Sequence, residues 1–245
     1  MKFSFARPAL ALAIMATLAS CGGGGKATFP ITVTVSNVRY PGLVLSTNGQ
    51  DLTVNPPSAT SATDAIVPDV VLTFPNSIEY GQEYEVVPKG ATVVNHAATG
   101  GALPKHQQCS PNLFPAYGTA GQLAKIDIRY ACAINTYPLT GTVKGLTGTG
   151  LVLANGSTTG TIGVSPAVDA NNAPTGADVT LTMNPVPYGS TYGVTVLTQP
   201  TSPAQTCTVT GGGTNGTGGG TMDDAAEAAT SPGVNNLVVT CVTNK

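Results

Sequence analysis

The chain has 245 residues, 10 Lys and Arg against 12 Asp and Glu, a formal charge of −2, 9% charged residues and no Trp. Its basic residues Lys89, Lys105, Lys125, Arg129 and Lys144 are scattered singly, whereas a nucleic-acid binder needs a clustered basic footprint, so nucleic acid is excluded as a partner. Gly (30) and Pro (19) are frequent, Thr, Val and Ser are abundant, and long helical periodicity is missing, a profile of short strands joined by turns.

Residues 1–20 carry the parts of an export signal: Lys2 and Arg7, then an apolar run from Ala9 to Leu18. That run is about half the roughly 20 residues a membrane-spanning helix needs, which suits a cleaved signal peptide. Leu18-Ala19-Ser20-Cys21 resembles the lipobox of bacterial lipoproteins. The resemblance implies cleavage before Cys21, a diacylglyceryl thioether on its sulfur and a further acyl chain on its amine. Several acyl chains make a stable anchor where one alone is marginal, so the expected partner of Cys21 is a membrane. By the sorting rule of that family, the lack of Asp at position 22 implies the outer membrane, with the facing leaflet left open. Gly22 to Gly25 begin a flexible tether over residues 21–30.

The remainder repeats itself. Gly42-Leu43-Val44-Leu45 recurs as Gly150-Leu151-Val152-Leu153, an offset of 108, and Asn48-Gly49 recurs as Asn155-Gly156 at 107. Asp69-Val70-Val71-Leu72-Thr73 matches Asp178-Val179-Thr180-Leu181-Thr182 at 109, and Tyr80-Gly81 with Tyr84 matches Tyr188-Gly189 with Tyr192 at 108. Four blocks in one order at nearly one spacing indicate a duplicated domain, with copies over residues 31–134 and 138–245.

Within each copy apolar and polar residues alternate, as in Ile31-Thr32-Val33-Thr34-Val35 and Tyr192-Gly193-Val194-Thr195-Val196, the pattern of half-buried strands. The second copy offers about seven such runs, near 139–145, 150–154, 160–164, 178–183, 192–198, 205–210 and 236–242. The first offers a similar series ending in Lys125 to Cys132, where Ile126, Ile128 and Tyr130 share a face. About seven short strands in about 100 residues is the expectation for an immunoglobulin-like β-sandwich. The predicted fold class is therefore all-β, with two such sandwiches in tandem.

Of five cysteines, Cys21 is assigned to lipid. Four cysteines allow three pairings, and the repeat selects the one within each copy: Cys109 with Cys132, and Cys207 with Cys241. Loops of about 20 to 35 residues closed this way stabilise a domain by about 3 to 4 kcal/mol in the chain-entropy model. Antibody domains join other strands beside a buried Trp, so only the architecture is expected to be shared.

The stretches Gly145 to Leu153, Tyr192 to Pro200, Cys207-Thr208-Val209 and Leu237 to Cys241 resemble a repeat of surface proteins and outer-membrane lipoproteins of proteobacteria. The second copy resembles it over about 139–242, and the first is a diverged version. The resemblance implies immunoglobulin-like spacers or binding modules without established activity, and no ligand.

His96, His106 and Cys109 invite a zinc reading, but Cys109 is expected in a disulfide, and two histidines on a Pro/Gly-containing loop read as solvated. No Ser lies in Gly-x-Ser-x-Gly, and the run Gly211 to Gly220 lacks the Lys-Ser/Thr ending of a phosphate loop, so it reads as a flexible hairpin tip. Thr221 to Ala229 reads as a helical turn with Thr221 as N-cap. Asp223, Asp224 and Glu227 are candidate calcium ligands, with structural capping preferred. Glu79, Glu83 and Glu85, beside Tyr80 and Tyr84, read as a solvated strand face. Sandwich function resides in end loops, which points to 95–108 and 211–233. The expectation is a non-enzymatic envelope lipoprotein, without metal or cofactor, in an adhesive or structural role. The alternative is a periplasm-facing module that binds a small ligand, a glycan or a secretion-system partner.

Overall fold

The computed structural model describes residues 26–57, 66–156, 160–213, 215–228 and 233–245. The expected export signal, Cys21 and Gly22 to Gly25 lie outside the described residues. Strands form where the alternation predicts them. In the first copy they are β1 (Thr28–Phe29), β2 (Ile31–Ser36), β3 (Leu43–Thr47), β4 (Gln50–Val54), β5 (Val70–Thr73), β6 (Ile78–Glu79), β7 (Glu83–Glu85), β8 (Val87–Pro88), β9 (Thr92–Val94), β10 (Ala97–Thr99), β11 (Gln107–Pro111), β12 (Tyr117–Thr119) and β13 (Ile126–Ile134). The second copy has β14 (Thr136–Lys144), β15 (Leu151–Asn155), β16 (Gly160–Val164), β17 (Val179–Pro187), β18 (Thr191–Thr198), β19 (Gln205–Thr210), β20 (Gly219–Thr221), a short helix α1 (Asp224–Ala228) and β21 (Val234–Thr243). Among the described residues the protein is all-β apart from α1.

Each copy closes two sheets on its own core. One core runs from Ile31 to Cys132 and the other from Leu139 to Cys241. The sheet orders are β5-β2-β13-β11 and β4-β3-β8 in the first copy, with β7 leading from β8 to β12. They are β17-β14-β21-β19 and β16-β15-β18-β20 in the second. Strand for strand these are one topology, so the offset visible in the sequence is also the offset of the sheets. In both, the last strand lies parallel beside the strand that opens its sheet, β13 beside β2 and β21 beside β14, at the centre of that sheet. Antibody constant domains order their strands ABED and CFG; the shared feature is the two-layer sandwich.

Corresponding residues occupy corresponding places. Leu43 and Leu45, like Leu151 and Leu153, are buried, because alternation turns one side of each strand to the core. Asn48 and Gly49 both have positive φ, 47° and 73°, where they turn β3 into β4, as a two-residue hairpin requires. Cys109 lies directly opposite Cys132, and Cys207 opposite Cys241, on adjacent antiparallel strands. Both disulfides are formed.

A second repeated device is a buried glutamine two residues before the first cysteine of each pair. Gln107, 1% exposed, accepts the backbone N–H of Arg39 and Tyr40 on Oε1 at 2.8 and 3.1 Å and donates from Nε2 to Asn37 O at 2.8 Å. Gln205, 2% exposed, accepts Thr147 and Gly148 N–H at 2.9 and 2.7 Å and donates to Gly145 O at 2.8 Å. Each amide holds the turn that leaves the first strand, entered through a residue at positive φ, Asn37 in one copy and Gly145 in the other.

Three expectations change. Phe29 packs on the first core and Thr28–Phe29 pair with Ile78–Glu79, so sheet pairing begins inside the tether expected over 21–30. Gly219 to Thr221 pair with β18 as an eighth strand of the second copy, so the glycine run is not a free hairpin tip. Thr221 ends that strand, and the residue that caps α1 is Asp223, whose Oδ1 accepts the N–H of Ala225 and Ala226 at 3.1 Å each.

Removing either glutamine strips the acceptor from two backbone N–H groups at once. Gln107→Ala and Gln205→Ala should each lower stability by about 1–3 kcal/mol in chemical denaturation, whereas Gln108→Ala, on the exposed side of the same strand, should be close to silent.

Candidate functional site

Asn135 alone separates β13 from β14, so the facing ends of the two sandwiches meet directly. The first copy brings Tyr40 from the turn after β2, and Lys105 and His106 from the approach to β11. The second brings Tyr137 at the start of β14, Tyr188 after β17, and Asp224 and Glu227 on α1. Three residues apart on a helix share a face, which is why one helical turn presents both carboxylates to the same partner.

That partner is His106, whose side chain is 6% exposed. Its Nδ1 hydrogen-bonds Glu227 Oε2, and its Nε2 lies 3.4 Å from Asp224 Oδ1. The other Glu227 oxygen accepts Tyr137 OH, and Asn135 Nδ2 at 3.2 Å. Asp224 accepts Tyr188 OH at 2.6 Å and Lys105 Nζ at 3.0 Å. The Tyr188 ring stacks on His106 with centroids 3.5 Å apart, and Tyr40 meets the imidazole edge-on at 5.0 Å. The linker is pinned along its backbone as well: Asn135 N donates to His106 O and Tyr188 N to Asn135 O, both at 2.8 Å.

The electrostatics follow from these contacts. Burial works to raise the Glu227 pKa, but hydrogen bonds from Tyr137, Asn135 and His106 outweigh it and hold the carboxyl below its ordinary value. Hydrogen bonds from Tyr188 and Lys105 lower Asp224. Burial, with the bond to the Glu227 carboxylate, pushes the Tyr137 phenol up to about 12. The bond to Asp224, then burial, pushes up Tyr188. At neutral pH the phenols are therefore fixed as donors and the carboxylates as acceptors. The group does not present a free base; it holds two domains together.

The two loops singled out from sequence thus find each other. Lys105 and His106 end the first, and Asp224 and Glu227 belong to the second. His106 is not the solvated loop residue expected, because α1 covers it. Asp224 and Glu227 serve as its acceptors, and of the acidic trio only Asp223 caps. Ligand atoms of His106, Asp224 and Glu227 lie within 4.8 Å of one another, the spacing of a possible cation site, yet each carboxylate already accepts hydrogen bonds from the protein. His96 is elsewhere, stacked on Tyr117 at 3.8 Å with Nδ1 2.9 Å from Glu85 Oε1. Tyr84 is buried while Glu83 is exposed, as alternation predicts, and Glu79 pairs with Lys26 at 3.1 Å. Sequence reasoning missed Tyr40, Asn135, Tyr137 and Tyr188. Departure from the repeat was the available signal for the joint, since aligned on Gln107 and Gln205, His106 stands where the second copy has Ala204, and among the described residues α1 has no counterpart in the first copy, whereas Tyr188, which the repeat matches to Tyr80, carried no such signal.

No family model matches the chain, and no curated protein matches it. Among solved structures it is similar to the major pilin protein T3.2 of Streptococcus pyogenes serotype GAS13637, at 9% identity and TM-score 0.26 over 89% of this chain and 98% of that one. It is also similar to the major pilin protein T-13 of serotype GAS131465, at 11% identity and TM-score 0.27 over 90% and 98%. Similarity at this level assigns neither fold nor role.

A double-mutant cycle on His106→Ala and Glu227→Ala should give a coupling energy of about 0.5–3 kcal/mol, while chelation with EDTA should leave Tm unchanged. A folded-state carboxyl pKa below the unfolded one contributes stability above the unfolded value and loses it as pH falls through the folded one. Unfolding scans should therefore show the Glu227 carboxyl's contribution at full strength above about pH 4.5, the ordinary Glu value, and weakening below it. The Glu227→Gln variant should show a flatter acid limb.

Proposed function

We propose that this chain is a non-enzymatic lipoprotein of the bacterial cell envelope, held at the outer membrane by acyl chains on Cys21, whose two sandwiches act as one stiff arm in a structural or adhesive role. The observation that carries the reading is the joint. A single-residue linker pinned through its backbone and side chain, beside a carboxylate–imidazole–carboxylate lock, suits a protein that must hold two domains at a set angle. A hinge for closing on a substrate would need the opposite. No helix among the described residues is long and apolar enough to cross a membrane. The lipobox-like sequence at Cys21 supplies the anchor in this reading, and the glycines after it supply the stand-off from the bilayer.

The anchor is tested by Cys21→Ser in the native host. Palmitate labelling should vanish and the protein should leave the membrane fraction; retention there without label would sink the anchor. The role is tested by comparing a deletion strain with its parent for attachment and envelope integrity, where no change in either would sink it. Protease shaving of whole cells should degrade a surface-facing arm. Full protection would instead support the periplasm-facing module.

A further inference from the structure

In the second copy the outward edge of β20 is covered by the chain itself. The ladder with β18 is bonded through Val194 N to Gly218 O and Met222 N to Ser190 O, each at 2.9 Å. Gly219 therefore faces the other way, as alternation in an antiparallel pair requires, and its carbonyl accepts Gly213 N at 3.1 Å. One residue back, Gly212 N donates to Asn236 Oδ1 at 3.2 Å, and Asn236 Nδ2 donates to Gly212 O at 3.1 Å. The Gly211 to Gly213 backbone thus bridges the opening between β20 of one sheet and β21 of the other.

The first copy has the same opening without the bridge. Its counterpart of β20 is β12: Gly118 lies against the Tyr84 hydroxyl as Gly220 lies against that of Tyr192. The ladder with β7 is bonded through Val86 N to Ala116 O and Ala120 N to Gln82 O, each at 2.8 Å, which turns the N–H and C=O of Tyr117 and the N–H of Thr119 outward, while the Thr119 carbonyl accepts Gln122 N at 3.3 Å. Asp127 stands on β13 where Asn236 stands on β21, at an offset of 109. The connection from β11 to β12 has only the five residues 112–116, against the eight residues 211–218 between β19 and β20, too few to cross the gap. A groove of about 680 Å³ is left between β12 and β13, with Tyr84 and Ile128 in its lining. Phe114 and Leu123 stand at it 65% and 62% exposed. A strand edge with both groups of Tyr117 and the N–H of Thr119 open, beside exposed apolar side chains, is a template for another strand.

We propose that this groove binds an extended segment of a partner protein, added as a strand along Tyr117 to Thr119. The second copy supplies the geometry. One backbone N–H of the incoming segment donates to Tyr117 O, as Gly213 does to Gly219, and another donates to the Asp127 carboxylate, as Gly212 does to Asn236. Lys125, 3.0 Å from Asp127, is placed to meet a carbonyl of the segment. The main difference from the internal bridge is chemical: an apolar side chain of the segment seats between Phe114 and Leu123, where the second copy has glycine. Main-chain bonds then supply affinity and the apolar seat supplies selectivity.

The test is residue-resolved amide exchange on the full mature chain with a synthetic peptide, Thr-Val-Thr-Leu-Gly-Gly-Thr. Exchange at Tyr117 and Thr119 should slow about tenfold when the peptide is at ten times its Kd, and Phe114→Asp with Leu123→Asp should abolish the effect. In a second variant residues 112–115 are replaced by the sequence of residues 210–217, which should close the groove from within and slow the same two amides without peptide. No slowing at these amides with peptide, or peptide-dependent slowing that persists in the closed variant, would overturn the proposal. Slowing in the unmodified chain that grows with protein concentration and needs no peptide would also overturn it, by making a second copy the occupant.

Discussion

The last strand of one sandwich becomes the first strand of the next with Asn135 alone between them. In each copy the last strand, β13 or β21, is paired in parallel with β2 or β14 at the centre of a sheet, so the connection joins the middle of one domain to the middle of the other. Freedom at that point would let the end loops swing apart. The lock around His106 removes it by pairing a buried imidazole with two carboxylates and packing it against aromatic rings. Burial makes the His106–Glu227 contact matter more than its surface equivalent, because a polar group left unpaired there would carry its desolvation cost, whereas Asp224 and Lys105 pair at the exposed rim.

Duplication makes the specialisation of each end readable. Both copies keep the elements a small sandwich needs: alternating core leucines, a disulfide between neighbouring strands, and a glutamine amide that ties down the first turn. They differ where they face each other and at one open edge. The second copy gains α1, which reaches across to the first, and a glycine segment that closes the gap between its own sheets. The first copy gains His106 and keeps its gap open. The distal end of the second copy has Ala204 where the first has His106, and among the described residues the first copy has no helix like α1. The lock is therefore a single joint between unlike ends, and it does not extend into an array of identical contacts.

Local pattern was readable because it is governed by near neighbours. Period-two alternation announced the strands, and the spacing of Cys109, Cys132, Cys207 and Cys241 within the repeat announced their pairing. Asn48-Gly49 announced a tight hairpin. The errors fall where side chains were not the signal. Gly219 to Thr221 form a strand that two glycines disguise, and Asp223 caps α1 in place of Thr221 because Thr221 is committed to the sheet. His106 read as a solvated loop residue because the α1 carboxylates that cover it lie more than a hundred residues away in the chain.

What the sequence by itself determined is the all-β character, the duplication and the cysteine pairing, each of which depends on residues repeating at short or constant spacing. Which loops meet, which carboxylate serves as cap and which as acceptor, and which strand edge stays bare were decided only by the tertiary structure. These depend on contacts such as His106 with Glu227 and Gly212 with Asn236, between residues whose separation in the chain carries no period. The reason is physical: a strand's pattern is imposed by the core beneath it, whereas a joint is imposed by the domain opposite, and the two loops met as candidate binding surfaces bind one another.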